Sequence, residues 1–123
     1  MLEKLFAPSS VAVVGASRTP GKVGHDILAN LVAGGFSGEI IPVNPAGGTM
    51  FERKVVAKLA DHRGAIDQVI IVVPSQQVLE VAREAVARKA GAIIVISAGF
   101  RHEPAPPDRK RKQIGFLEPT SGA

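Results

Sequence analysis

A chain of 123 residues is long enough for one domain with a sizeable core, and its composition limits what that domain can do. It has no cysteine, which excludes disulfides, thiolate catalysis and cysteine-based metal sites. It has no tryptophan or tyrosine, which argues against stacking on nucleic-acid bases. The 46% hydrophobic content must therefore form a mainly aliphatic core.

The formal net charge of +4 is unevenly distributed. Residues 1–100 carry ten Lys and Arg against eight Asp and Glu, and residues 101–123 carry five against three. The body is nearly balanced, which argues against a nucleic-acid partner, and the basic run at residues 109–112 is typical of a solvated, disordered terminus. The chain has no apolar run of membrane-spanning length and does not begin like a secretion signal, so we expect a cytoplasmic protein without a membrane partner.

The first informative stretch is a strand followed by a turn and a helix. Residues 11–14 are apolar and mostly β-branched, which predicts a strand covered on both faces, as in a parallel sheet. Gly15 ends this strand, and apolar residues recur at helical spacing over 23–32, which predicts a helix starting near Gly21. The free N–H groups and the positive dipole end of that helix favour an anion. We therefore predict a phosphate-binding loop here.

The glycine spacing of this turn is not the usual one. Gly15, Gly21 and Gly24 give G-x5-G-x2-G, whereas the dinucleotide fingerprint is G-x-G-x-x-G. The longer turn adds two cations and two hydroxyls beside the anion site: Ser17, Arg18, Thr19 and Lys22. The alternative is that Pro20-Gly21 only makes a turn and that Gly24 only lets the helix pack closely on the strand.

A second strand is predicted over residues 39–43, after a Gly34-Gly35 helix cap, and completes a right-handed βαβ unit. An NAD-binding unit usually places an Asp or Glu about twenty residues past its glycines, against the adenosine ribose. Asn44 occupies that position and would not repel a phosphate on the ribose. The alternative is that Asn44-Pro45 is simply a loop.

The second half of the chain repeats the strand and helix pattern. We predict a short edge strand over 53–57, a helical turn over 59–61 and a buried strand over 69–73. Ser75 is the expected N-cap of a helix that ends at Gly91, and residues 92–96 form a further buried strand.

These elements predict an α/β fold, a Rossmann-like open parallel sheet of about five strands with helices on both faces. In such sheets the ligand binds outside the carboxyl ends of the strands. The loops at that edge are 15–24, 42–45, 73–75 and 97–100, and all are rich in Gly, Pro, Ser or Asn.

Four of these segments together resemble the CoA-binding domain of the NDP-forming acyl-CoA synthetases, related to the succinyl-CoA synthetase alpha subunit. They are residues 13–24 (VVGASRTPGKVG), 41–45 (IPVNP), 71–74 (IVVP) and 95–101 (VISAGFR). The resemblance implies coenzyme A binding, with the first loop on the phosphates and the others around adenosine and pantetheine. The cofactor-binding residues it implies are Gly15, Ala16, Ser17, Arg18, Pro20, Gly21, Lys22, Val23, Gly24, Asn44, Pro45, Val73, Pro74, Ser97, Ala98, Gly99 and Phe100.

The resemblance covers residues 2–101, which we take as the CoA-binding domain, and residues 102–123 form a basic, proline-rich tail. Family members continue with a long helix, a strand ending in Gly-Pro-Asn and further domains, one of which carries a phosphorylated histidine. Residues 113–117 resemble a remnant of that strand, but His25, His62 and His102 match no family motif.

The sequence thus leaves two kinds of function open, and the first is a coenzyme A binding module that is not catalytic alone. The alternative is an NAD(H)-binding regulatory module, which the absence of a carboxylate at Asn44 disfavours. A complete enzyme has no support, because no paired base and nucleophile and no metal-ligand cluster is present in the sequence pattern. A separate synthetase subunit or self-association is the expected protein contact.

Overall fold

The computed structural model describes residues 7–97 and 113–117, with the backbone alone for Ser97 and for 113–117. The strands are β1 (Ser10–Val14), β2 (Glu39–Val43), β3 (Thr49–Met50), β4 (Arg53–Lys54), β5 (Gln68–Ile71), β6 (Ala92–Ser97) and β7 (Gln113–Leu117). The helices are α1 (Val23–Ala33) and α2 (Ser75–Ala87), and a 3-10 turn spans Leu59–Asp61. No helix in these ranges is long and apolar enough to cross a membrane.

One sheet of five strands carries the fold, in the order β2-β1-β5-β6-β7. The first four strands are parallel, with Val13 opposite both Pro42 and Ile70. This confirms the predicted α/β, Rossmann-like class. The fifth strand, β7, is antiparallel to β6 and begins beside its end, so it needs no crossover helix of the kind that joins parallel strands.

The core lies on both faces of this sheet, because successive side chains of a strand point to opposite sides. Val11 and Val13 of β1 face α1, where Leu28 is fully buried. Ala12 and Val14 face the other way, toward α2 and the 3-10 turn. The prediction of helices on both faces is confirmed, and β1 is buried along its whole length.

The ends of α2 differ from the sequence prediction. Pro74 rather than Ser75 is the N-cap residue, and it makes no side-chain cap hydrogen bond. The helix ends at Ala87, not at Gly91, because Lys89 adopts a left-handed conformation with φ of 61°. The Ala90 N–H then donates to the Ala85 carbonyl at 3.1 Å, which closes the helix in the way a glycine usually does.

The predicted strand over 53–57 is shorter than expected. Phe51 and Glu52 both have positive φ, and they turn the chain so that β4 pairs with β3 as a two-residue hairpin. The prediction of a helical turn at Leu59–Asp61 is confirmed. The predicted domain boundary at residue 101 and the basic run at 109–112 lie outside the described residues and stay predictions.

Strand β2 forms one edge of the sheet, and part of that edge is covered by the chain itself. The Val56 N–H donates to the Pro42 carbonyl at 3.0 Å, and the Asn44 N–H donates to the Val56 carbonyl at 2.9 Å. Pro42 has no N–H to offer on this side, as is usual for a proline in an edge strand. A single parallel bridge between Val43 and Val56 results.

The left-handed conformation of Lys89 generates a stability prediction. Replacing Lys89 with Gly should raise the free energy of unfolding by about 0.5–1 kcal/mol, because relief of the strained φ exceeds the extra entropy of glycine in the unfolded chain. The matched control is Lys58→Gly at an exposed position with φ of −154°, where the change should cost about 0.5–1 kcal/mol. Urea denaturation measures both, and a loss of stability in Lys89→Gly would contradict the prediction.

Candidate functional site

A cleft of about 510 Å³ lies at the carboxyl ends of the central strands. It lies where β1 and β5 are neighbours while the helices that follow them cover opposite faces of the sheet, which is the topological switch point of an open α/β fold. The lining comes from the loop after β1, the loop after β5 and the end of β6. These residues are Gly15, Ser17, Lys22, Val23, Gly24, Val72, Val73, Pro74, Ser75, Gln76 and Ile96.

Two helix N-termini converge on this cleft. Val23 and Gly24 open α1, and Ser75 and Gln76 open α2. Neither helix has a side-chain cap hydrogen bond at its start. The first N–H groups of a helix have no partner within the helix, and they carry the positive end of its dipole. The cleft is therefore suited to a ligand with negative charge.

The side chains around the cleft divide it chemically. Lys22 brings a positive charge among the lining residues, and Ser17 brings a hydroxyl that accepts a hydrogen bond from the Thr19 N–H at 3.0 Å. The remainder of the wall includes the apolar side chains of Val72, Val73 and Ile96. A ligand with both an anionic and an apolar portion matches this division.

Two glycines let the elements approach closely enough to form the cleft. A Cβ on Gly24 would overlap the Gly15 carbonyl oxygen and lie 3.2 Å from Cα of Ala16. Gly15 itself has φ of 98°, and a Cβ there would lie 2.8 Å from the carbonyl carbon of Val72. The packing role that was the alternative for Gly24 is thus observed, and it places the start of α1 at the cleft.

The Pro20-Gly21 turn is also observed. The Lys22 N–H donates to the Thr19 carbonyl at 3.1 Å, and Gly21 has φ of 95°. This is the geometry of a turn with Pro and Gly at its two central positions. It ends directly before α1 and so fixes where Lys22 stands.

Arg18 lies beside the cleft rather than among its lining residues. Its Nε donates to the Thr49 carbonyl at 3.2 Å and its Nη2 donates to the Gly47 carbonyl. The guanidinium is therefore held against the segment that runs from the end of β2 to the start of β3. The orientation of the Arg18 side chain could not be predicted from the sequence, because it depends on the path of the loop at residues 44–49.

Asn44 joins the loop after β1 to the loop after β2. Its Nδ2 donates to the Ala16 carbonyl at 2.8 Å, and its Oδ1 accepts from the Ala46 N–H at 2.8 Å. An amide can do both, whereas a carboxylate at this position would face the Ala16 carbonyl with a second oxygen. Asn44, which the sequence places at the ribose-binding position, thus has a structural role in joining these loops.

Of the predicted cofactor-binding residues, seven line the cleft: Gly15, Ser17, Lys22, Val23, Gly24, Val73 and Pro74. Six others lie in the neighbouring loops without lining it: Ala16, Arg18, Pro20, Gly21, Asn44 and Pro45. The side chain of Ser97 and all of Ala98, Gly99 and Phe100 lie outside the described part of the chain. The roles of all these residues in binding stay predictions.

Sequence reasoning did not select Val72, Ser75, Gln76 and Ile96 as site residues, although they line the cleft. Gln76 could have been predicted, since it belongs to the first turn of α2 and directly follows the predicted site loop at residues 73–75. Val72 and Ile96 looked like ordinary strand residues in the sequence. Within residues 7–97 and 113–117 no group of three or more His, Cys, Asp or Glu could hold a metal ion.

The two hydrogen bonds of the Asn44 amide generate a prediction. Asn44→Asp should lower the free energy of unfolding by about 1–3 kcal/mol, because the donor to Ala16 is lost and an anionic oxygen takes its place beside a carbonyl. The matched control is Asn30→Asp on the exposed side of α1, which should change stability by no more than about 0.5 kcal/mol. Chemical denaturation of the three proteins tests this, and equal stabilities would contradict it.

Comparison with known proteins gives the site a family context. Residues 9–114 match the family described as CoA binding domain. The chain is 42% identical over 102 residues to acetate–CoA ligase [ADP-forming] II of Archaeoglobus fulgidus, covering 83% of this chain and 15% of that one. It is 40% identical over 103 residues to the alpha subunit of acetate–CoA ligase [ADP-forming] I of Pyrococcus furiosus, covering 80% of this chain and 22% of the subunit.

A solved structure agrees with these sequence relatives. The dinucleotide forming acetyl-coenzyme A synthetase 1 of Ca. Korarchaeum cryptofilum, in complex with phosphate and ADP, superposes with a TM-score of 0.77 at 40% identity. The match covers 81% of this chain and 22% of the synthetase chain, so this chain spans less than a quarter of the length of each of these relatives. None of the three supports the NAD(H) alternative. The resemblance drawn from the four loop motifs is confirmed, and the chain belongs to the CoA binding domain family.

Proposed function

We propose that the cleft at the switch point is where this chain binds coenzyme A, as a cytoplasmic nucleotide-binding module. The observation that carries the proposal is the convergence of two uncapped helix N-termini on one cleft that also contains Lys22. Coenzyme A carries a diphosphate between its adenosine and its pantetheine. Backbone N–H groups at helix starts are well suited to phosphate oxygens.

We assign the pantetheine arm and the adenosine of coenzyme A to different sides of the cleft. The apolar wall of Val72, Val73 and Ile96 suits the weakly polar pantetheine arm. The adenosine would then lie toward the end of β2, where a parallel nucleotide-binding sheet usually holds the ribose. Asn44 and Pro45 are the first residues after β2 on that side.

We further propose that this chain does not form acyl-CoA by itself. Its relatives are named as ligases or synthetases, and it spans only a minor part of their lengths. Acyl and phosphoryl transfer require positioned groups that stabilise the reacting charges. Among the described residues, the cleft offers one charged side chain, Lys22, together with helix N–H groups and the neutral polar side chains of Ser17, Ser75 and Gln76. A separate synthetase subunit, or a second copy of the chain, would supply the remaining contacts, as the naming of one relative as an alpha subunit suggests.

Ligand-induced stabilisation tests the proposal. Coenzyme A at about one hundred times its dissociation constant should add about 2.7 kcal/mol to the free energy of unfolding, and NAD at the same concentration should add less. Thermal melts of the purified chain with coenzyme A, NAD and NADH measure this directly. A clear shift with NADH and none with coenzyme A would overturn the proposal.

A further inference from the structure

The two cations of the loop after β1 stand in different places. Lys22 lines the cleft, directly before α1. Arg18 does not line it, because its guanidinium lies against the Gly47 and Thr49 carbonyls beyond the end of β2. A ligand that spans both places would meet two separate positive charges.

The backbone at Gly48 leaves the space that the Arg18 guanidinium occupies. Gly48 lies between the two acceptor carbonyls with φ of 88°, and a Cβ there would overlap the guanidinium. Arginine has five N–H donors, and the two carbonyls engage two of its nitrogens. The side chain is exposed, so its charge and its remaining donors are open to a ligand. A guanidinium fixed in this way is well suited to a phosphate group.

The first residue after β2 carries no negative charge that would repel such a ligand. That residue is Asn44, whose amide is engaged with Ala16 and Ala46. In nucleotide-binding sheets of this kind an acidic residue at this position binds a ribose hydroxyl, whereas a nearby arginine accommodates a phosphate on the ribose. The arrangement of Asn44 and Arg18 matches the second case.

We propose, building on the proposed function, that Arg18 recognises the phosphate on the adenosine ribose of coenzyme A. Lys22 and the helix N-termini bind the diphosphate. Arg18 is then the residue that distinguishes coenzyme A from 3′-dephospho-coenzyme A and other nucleotides without that phosphate. The two cations of this loop thus bind different phosphate groups of one ligand, Lys22 the diphosphate and Arg18 the ribose phosphate.

Calorimetric titration of the full chain with coenzyme A and with 3′-dephospho-coenzyme A tests this division. The unmodified chain should prefer coenzyme A by about ten- to a hundredfold, the value of a charge-assisted contact. Arg18→Ala should reduce this preference to about twofold or less, mainly by weakening coenzyme A. Lys22→Ala should weaken both ligands by a similar factor and keep the preference. Arg83→Ala removes the same charge from an exposed position in the middle of α2 and should change neither affinity.

A second variant separates the charge of Arg18 from its backbone contacts. Arg18→Gln keeps an amide donor for the Gly47 or Thr49 carbonyl and should lose the preference as fully as Arg18→Ala. Retention of the preference in both variants would overturn the inference while leaving coenzyme A binding intact. Failure of the unmodified chain to bind either ligand would instead overturn the proposed function and this inference with it.

Discussion

At the site, the first turn of α1 packs backbone against backbone on the loop that follows β1. Gly24 lies directly over the Gly15 carbonyl, and no side chain of any size fits between them. The position of the helix relative to the sheet follows from this contact, and with it the direction of the helix N–H groups. Because Lys22 immediately precedes the helix, its place at the cleft depends on the same approach.

The loops at the carboxyl edge are held mainly by one another. The N–H groups of Gly15 and Ala16 both donate to the Val43 carbonyl at 3.2 Å, and the Val72 N–H donates to the Val14 carbonyl at 2.8 Å. These bonds link the ends of β1, β2 and β5. A ligand that binds at these three strand ends meets backbone that is already hydrogen-bonded, which reduces the entropy lost on binding.

Much of the fold could be predicted because the four parallel strands are mainly apolar runs that are followed within three residues by a glycine or a proline. β2 was predicted with its observed bounds. The loop from Gly15 to Gly24 was identified from its glycines together with the apolar strand before it and the helical spacing after it. The end of α2 was not, since a lysine rarely adopts the left-handed conformation found at Lys89. The directions of Arg18 and Asn44 were beyond the sequence as well, because they depend on the path of a loop distant along the chain.

The outer edge of β2 also determines how this sheet can meet other chains. An edge strand with open N–H and C=O groups can template the addition of a foreign strand, which is a route to aggregation. Here the carbonyl of Pro42 is already taken by Val56, and the ring removes the donor that a neighbour would need. Growth of the sheet by strand addition is therefore blocked along the carboxyl-terminal half of β2.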